Sequence, residues 1–226
     1  MREEALAAVL AAAKDLSRDE PEVASNIGHQ LEHMGLNTWS ISVRRRIRDA
    51  VARLEPRNVL HTGAGIGHLS AWLFDHFTKI ETLREFQLVE EGNRFAVILK
   101  RLCERYSDVP SSIVVGMPSL LVSELVAWRI TKSGNPPIMP EADAIIVDSQ
   151  LEKLADEINA LLPLLSKNGV LFTVEPDPPV GDLEEDDPTL IGFNNWIDLI
   201  KRTNETHHIA FAPLFGGTIV AWLLKD

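Results

Sequence analysis

In 58-NVLHTGAGIGHLSAWL-73 an apolar run meets three glycines within five residues and then gives way to an amphipathic segment. This is the pattern of a strand, a tight turn and a helix start. Glycines after a strand let the backbone approach a ligand closely. The helix that follows offers free N–H groups and the positive end of its dipole. A dinucleotide loop is spaced GxGxxG. Here Gly63 and Gly65 fit, but the third position is His68 and Gly67 comes one place early. The spacing is GxGxG, and His61 stands where such loops often carry a carboxylate.

Outward from this loop, strand-like apolar runs alternate with helical segments. The runs are 58-NVLHT-62, 84-REFQLVE-90, 112-SIVVG-116, 143-DAIIVD-148 and 169-GVLFTVE-175. Helices are expected at about 67–77, 93–106, 118–132 and 150–166. Near-continuous apolar strands alternating with helices predict a mostly parallel sheet covered on both faces. A further helix at 189–203 leads into 207-HHIAFAPLFGGTIVAWLLKD-226, which reads as an antiparallel hairpin around 213-PLFGG-217. Before the sheet, 2–17, 21–35 and 40–54 read as helices, with Pro21 in a first turn and Gly35 as a C-terminal cap. Residues 1–39 form a helical appendage, a cap or dimer contact, and 40–226 the main domain.

Glu90 closes the second strand, at the distance downstream where a carboxylate takes the hydroxyls of a ribose. Glu90 or Glu91 equally suits the start of the next helix, where negative charge is favourable. Loop and carboxylate together point to a nucleoside without choosing it.

The totals narrow the field. The chain has 226 residues, is 45% hydrophobic and 24% charged, and carries a net charge of −11. It is long enough to bury a core without disulfides, and its single cysteine, Cys103, excludes an internal disulfide or a CxxC pair. The negative charge argues against a nucleic-acid partner. The basic run 44-RRRIR-48 is expected to be the solvated face of an amphipathic helix. No run reaches the roughly 20 apolar residues of a membrane span, and the Ala-rich start with its two glutamates reads as a helix, not a signal peptide. No membrane contact and a cytoplasmic location are expected.

On these residues the chain resembles class I S-adenosylmethionine-dependent methyltransferases, nearest the branch of catechol and caffeoyl-CoA O-methyltransferases. The resemblance spans about residues 40–226. It rests on the GxGxG loop, Glu90, 143-DAIIVDS-149, 161-LLPLLSKNGVLFTVEP-176 and the hairpin around 213-PLFGG-217. It implies a Rossmann-like seven-stranded sheet ordered 3-2-1-4-5-7-6, the last strand antiparallel. It also implies S-adenosylmethionine as cofactor, with S-adenosylhomocysteine as product, O-methyl transfer to a small-molecule acceptor, and a homodimer. Gly63, Ala64, Gly65 and Gly67 with His61 and Ser70 would line the methionine and ribose part. Glu90 would take the ribose hydroxyls, beside Glu91, and Met117 falls near the adenine. Asp148 would lie close to methyl donor and acceptor.

The departures are specific. His61 and Met117 stand where the branch has acidic residues, and Gly67-His68-Leu69-Ser70 replaces its Gly-Tyr-Ser segment. Glu175-Pro176 replaces an Asp-Asn metal pair, so a divalent metal is not expected. Asp148 is the expected base or orienter, with His68 the next candidate. Trp39 and Glu175 are expected at the acceptor, Trp72, Trp128 and Trp222 in the core. His29 and His33 share a helix face but lack a third ligand. The acidic loop 176-PDPPVGDLEEDDP-188 is a lid or a solvated connection. Two other functions fit the sequence: a catalytically silent binding module of the same fold, and an NAD(P)-dependent Rossmann reductase.

Overall fold

The computed structural model describes residues 2–225. Helices α1 (Arg2–Leu10), α2 (Glu22–Met34) and α3 (Ile41–Leu54) precede strand β1 (Asn58–Thr62). Then follow α4 (His68–Phe77), β2 (Glu85–Glu90), α5 (Asn93–Arg105), β3 (Ser111–Val115), α6 (Pro118–Thr131), β4 (Ala142–Val147) and α7 (Leu151–Leu161). A 3-10 turn at Leu162–Leu164 feeds β5 (Leu165–Val174), and α8 (Pro188–Thr203) leads to β6 (His207–Leu214) and β7 (Gly217–Leu224). The seven strands form one sheet in the order β3-β2-β1-β4-β5-β7-β6. All pairings are parallel except those of β7, which runs antiparallel to both β5 and β6. The expected order and the expected antiparallel last strand are both present.

The sheet is covered on both faces because its central strands are apolar on both. In β1, Val59 packs into one buried cluster with residues of α1 to α5, while Leu60 packs into the other with residues of α6, α7 and α8. Asp143 ties the amino-terminal sheet edge together, accepting from the Arg57 and Asn58 N–H groups at 2.9 and 3.1 Å and from the Ser166 hydroxyl at 2.7 Å. Residues 1–39 do not stand apart: Leu6, Leu10, Ala24, Ile27 and Leu31 belong to the same cluster as Val59.

Two local expectations change. The first helix stops at Leu10 instead of residue 17, because the chain beyond it is held by tertiary contacts. Arg46 donates to the Leu10 carbonyl at 2.8 Å, Arg53 to Val9 and Ala11 at 2.8 Å each, and Asp49 accepts from the Ala13 N–H at 3.2 Å. Cations on the last carbonyls of a helix end it favourably. For the same reason the 44–48 run is no solvated face. Arg44 and Arg48 are buried, Arg48 bonding Asp49 at 2.7 Å and the Ser17 carbonyl at 2.6 Å. Trp72 and Trp222 are core, as expected. Trp128 is only half-buried, its indole N–H on the Gly134 carbonyl and Lys132 over its ring. Among the described residues no helix is long and apolar enough to cross a membrane.

Candidate functional site

The register aligns the carboxyl ends of three central strands. Thr62 lies beside Val89 on one side and Val147 on the other. The glycine loop, Glu90–Glu91 and Asp148–Gln150 therefore emerge side by side, where open α/β sheets bind ligands.

The glycines serve different ends. Gly63 has φ +68°, and a Cβ there would lie 1.6 Å from the Asp148 carbonyl oxygen. Only glycine lets the loop pass this close to the end of β4. The Gly63 N–H bonds the Val89 carbonyl at 3.1 Å, and the Asp148 N–H bonds Thr62 at 3.0 Å, stitching the loop to both neighbours. Gly65 faces open space and donates its N–H to Glu90 Oε2 at 2.8 Å. Gly67, at φ +89°, caps α4 and packs against α5, where a Cβ would meet Leu102 at 2.4 Å. It does not line the cleft, and its role is packing.

A cleft of about 360 Å³ opens along this edge, lined by Gly63, Gly65, Glu90, Asp148, Lys153 and Glu157 among others. Glu90 is buried, and its Oε1 accepts the Gly92 N–H at 3.3 Å, so backbone donors fix both oxygens. Glu91 pairs with Lys153 across the mouth, Nζ lying 2.8 and 3.1 Å from its two oxygens. Beside the cleft is a small pocket of about 60 Å³ that includes Trp39, Arg44, His61, Ala64 and His68. Among the described residues, Asp148 is the one ionisable side chain that lines both spaces. Burial, and then the charge of Glu90, push its carboxyl up to about 7.

The two loop histidines are both neutral. His61 is 1% exposed, and its Nδ1 lies 3.0 Å from the Ser70 hydroxyl. Its Nε2 is buried without a partner, and burial lowers the imidazole to about 3. His68 has both nitrogens engaged, Nδ1 with Thr38 at 3.2 Å and Nε2 with Glu20 at 3.3 Å. A Cβ on Gly28 would lie 3.2 Å from its ring. Burial, followed by the Arg44 charge, takes His68 down to about 4. A group so held does not take a proton at neutral pH, which argues against His68 as the base. Glu20 Oε1 also accepts from Arg44 at 2.9 Å and from the Trp72 indole at 3.3 Å. Residues 20, 28 and 38 thus clamp the start of α4 from three sides.

Other predicted residues fall outside. Met117 is 39% exposed at the N-cap of α6 and lines neither space, whereas its neighbour Pro118 does. Ser70 lies under His61 and is fully buried. Glu175 lines neither space, its N–H held by the Thr218 carbonyl at 2.8 Å. The acidic loop reaches neither space, though Asp187 caps α8. His29 and His33 are exposed, and among the described residues no group of three or more His, Cys, Asp or Glu side chains is placed to hold a metal. Sequence reasoning missed Glu20, Lys153 and Glu157. Each is an ordinary helical or loop charge in the sequence, and only packing brings it to the site.

No protein-family model and no curated protein sequence matches the chain. Solved structures do. The O-methyltransferase TomG from Streptomyces achromogenes, involved in tomaymycin synthesis and solved with SAM, is similar at TM-score 0.67 and 16% identity, with both chains covered in full. An O-methyltransferase from Bacillus cereus in complex with SAH is similar at 0.65 and 15%, over 99% of this chain and 100% of that one. The SAH-bound methyltransferase PaMTH1 of Podospora anserina is similar at 0.59 and 14%, over 91% and 89%. The chain shares the fold of these methyltransferases.

Proposed function

We propose that the protein is an S-adenosylmethionine-dependent methyltransferase that transfers the methyl group to a hydroxyl of a small molecule. The observation that carries this reading is Asp148, a single carboxyl at the junction of a nucleoside-sized cleft and a second pocket. A transferase needs two spaces that meet at the reacting atoms, and a lone binding cleft does not.

The residues suit the cofactor. Glu90 is oriented by two backbone N–H groups and has acceptor capacity left for ribose hydroxyls. Gly65 leaves its face open to the cleft. Carboxylates outnumber cations around the cleft, which favours a ligand carrying a sulfonium and an ammonium. When bound, S-adenosylmethionine supplies an electrophilic methyl group. Asp148 then takes the proton from the attacking hydroxyl, and a base near 7 is well matched to that task at neutral pH. The backbone stitching of Gly63 to Val89 and Asp148 to Thr62 holds this carboxyl in place.

One observation favours the silent-module reading. The second pocket, at about 60 Å³, is smaller than the roughly 150 Å³ that admits a benzene ring. A homodimer belongs to the proposal as well, and the 90% exposed Phe215 at the terminal hairpin supports it.

Thermal unfolding with S-adenosylhomocysteine, NAD and NADP tests the cofactor. Ligand at about 100 times its dissociation constant adds roughly 2.7 kcal/mol, several degrees for a chain of this size. A shift with S-adenosylhomocysteine alone is expected. No shift with it sinks the proposal, and a shift with NAD or NADP replaces it with the reductase.

A further inference from the structure

Glu157 is the buried charge that the reading above leaves unused. It sits on α7, is 4% exposed, and lines the cleft. Burying a carboxyl is costly unless something answers it. Lys153, one helical turn earlier, is the natural cation for it, but its ammonium reaches instead to Glu91 on the opposite lip. Ser149 and the Lys153 charge favour the ionised Glu157 carboxylate, while the charges of Glu91 and Glu90 oppose it. Burial is the largest influence, and the group is raised to about 6. Its carboxylate faces the cleft with acceptor capacity for a further donor.

The cofactor reading, on which this inference rests, says which donor arrives. With Glu90 on the ribose, the attached base must enter the remaining part of the cleft. Phe95, Pro118 and Leu36 give the cleft apolar surface for a flat ring. Three other carboxyls face the cleft. Glu91 is committed to Lys153, Glu90 to the ribose, and Asp148 to the methyl end. Only Glu157 is left to meet an edge of the base. Adenine presents an amino group at its 6-position, a donor, and a 6-oxo purine presents a carbonyl there.

We infer that Glu157 is the specificity-determining residue for adenine, its carboxylate accepting a hydrogen bond from the exocyclic 6-amino group. Met117, which the resemblance puts near the adenine, is 39% exposed and does not line the cleft.

The test is isothermal titration at pH 8, where the Glu157 carboxyl is ionised, with S-adenosylhomocysteine and S-inosylhomocysteine as probes. Wild type is expected to bind the adenine compound roughly 10- to 100-fold more tightly, the range of one hydrogen bond to a charged group. In Glu157→Gln the amide offers an N–H to the 6-oxo group, and the preference should fall to within about threefold or reverse. Far-UV circular dichroism confirms that the variant is folded. If it is not, the wild-type ratio decides alone. Wild type binding both compounds equally overturns the inference and leaves the cofactor reading intact. An unchanged preference in folded Glu157→Gln also overturns it. Wild type binding neither compound removes the cofactor reading and this inference with it.

Discussion

Replacing Gly63 with alanine asks whether the close passage of the loop past β4 is the keystone of the site. An alanine Cβ would be 1.6 Å from the Asp148 carbonyl oxygen, so the loop and the end of β4 must part by more than an ångström. The obstacle is backbone, which cannot rotate aside as a side chain would. Holding alanine at φ +68° costs about 1–2 kcal/mol. Separation also strains the Gly63–Val89 and Asp148–Thr62 hydrogen bonds, about 1 kcal/mol each. The sum is about 3–4 kcal/mol, or roughly 6–16 °C in melting temperature. Gly65→Ala is the internal control. Its Cβ meets nothing within 4 Å, so only the conformational cost of about 1–2 kcal/mol applies. Urea unfolding of wild type and both variants measures the difference. A Gly63→Ala variant no less stable than Gly65→Ala would refute the argument, because the clash would then have been relieved at no cost.

Other consequences follow from the carboxyl and the clamp. The methyl-transfer rate should rise with pH through about 7 as Asp148 ionises. That limb should survive in His68→Gln, because the imidazole it removes is already neutral in this range, and disappear with most of the activity in Asp148→Asn. Asp148 also bears on stability. Its folded-state value lies above the unfolded 3.8, so the folded protein binds the proton more tightly and stability falls as pH rises from about 4 to 7. Asp148→Asn should therefore melt higher than wild type at pH 8 and indistinguishably from it near pH 4. A variant that melts lower at pH 8 would contradict this. Glu20→Ala leaves Arg44 buried without its partner and should cost about 2–4 kcal/mol in urea unfolding, a little below a fully buried pair because Glu20 is partly exposed. It should also speed hydrogen exchange in α2 and residues 36–40, and unchanged exchange there would mean that the clamp does not hold them.

What the sequence determined by itself was the sheet. Its strands are short apolar runs bounded by turns, and burial on both faces leaves them no other periodicity. The loop at 63–67, Glu90 and Asp148 were legible for a related reason: they sit at strand ends, so once the strands are placed their neighbourhood is set by the parallel register. The terminal hairpin was legible from the turn between two strand-like runs.

Tertiary structure decided what depends on long-range partners. Local propensity favoured a helix through residue 17, and the arginines of α3 ended it at Leu10 by taking its carbonyls. The same arginines look solvent-seeking in sequence, yet Arg44 and Arg48 are buried because carboxylates and carbonyls from residues 17–20, 39 and 49 meet them there. His68 looked like a base because of its place at the end of β1. Its chemistry was set by Thr38 and Glu20, 30 and 48 residues away, which hold both nitrogens, and by Gly28, which leaves room for the ring. Glu157 had no sequence signal at all, since one glutamate on an amphipathic helix reads as a surface charge. Which charge is desolvated, and which is drawn to another partner, is a property of the packed interior. Periodicity in a sequence reports which face is buried and says nothing of the groups brought against it.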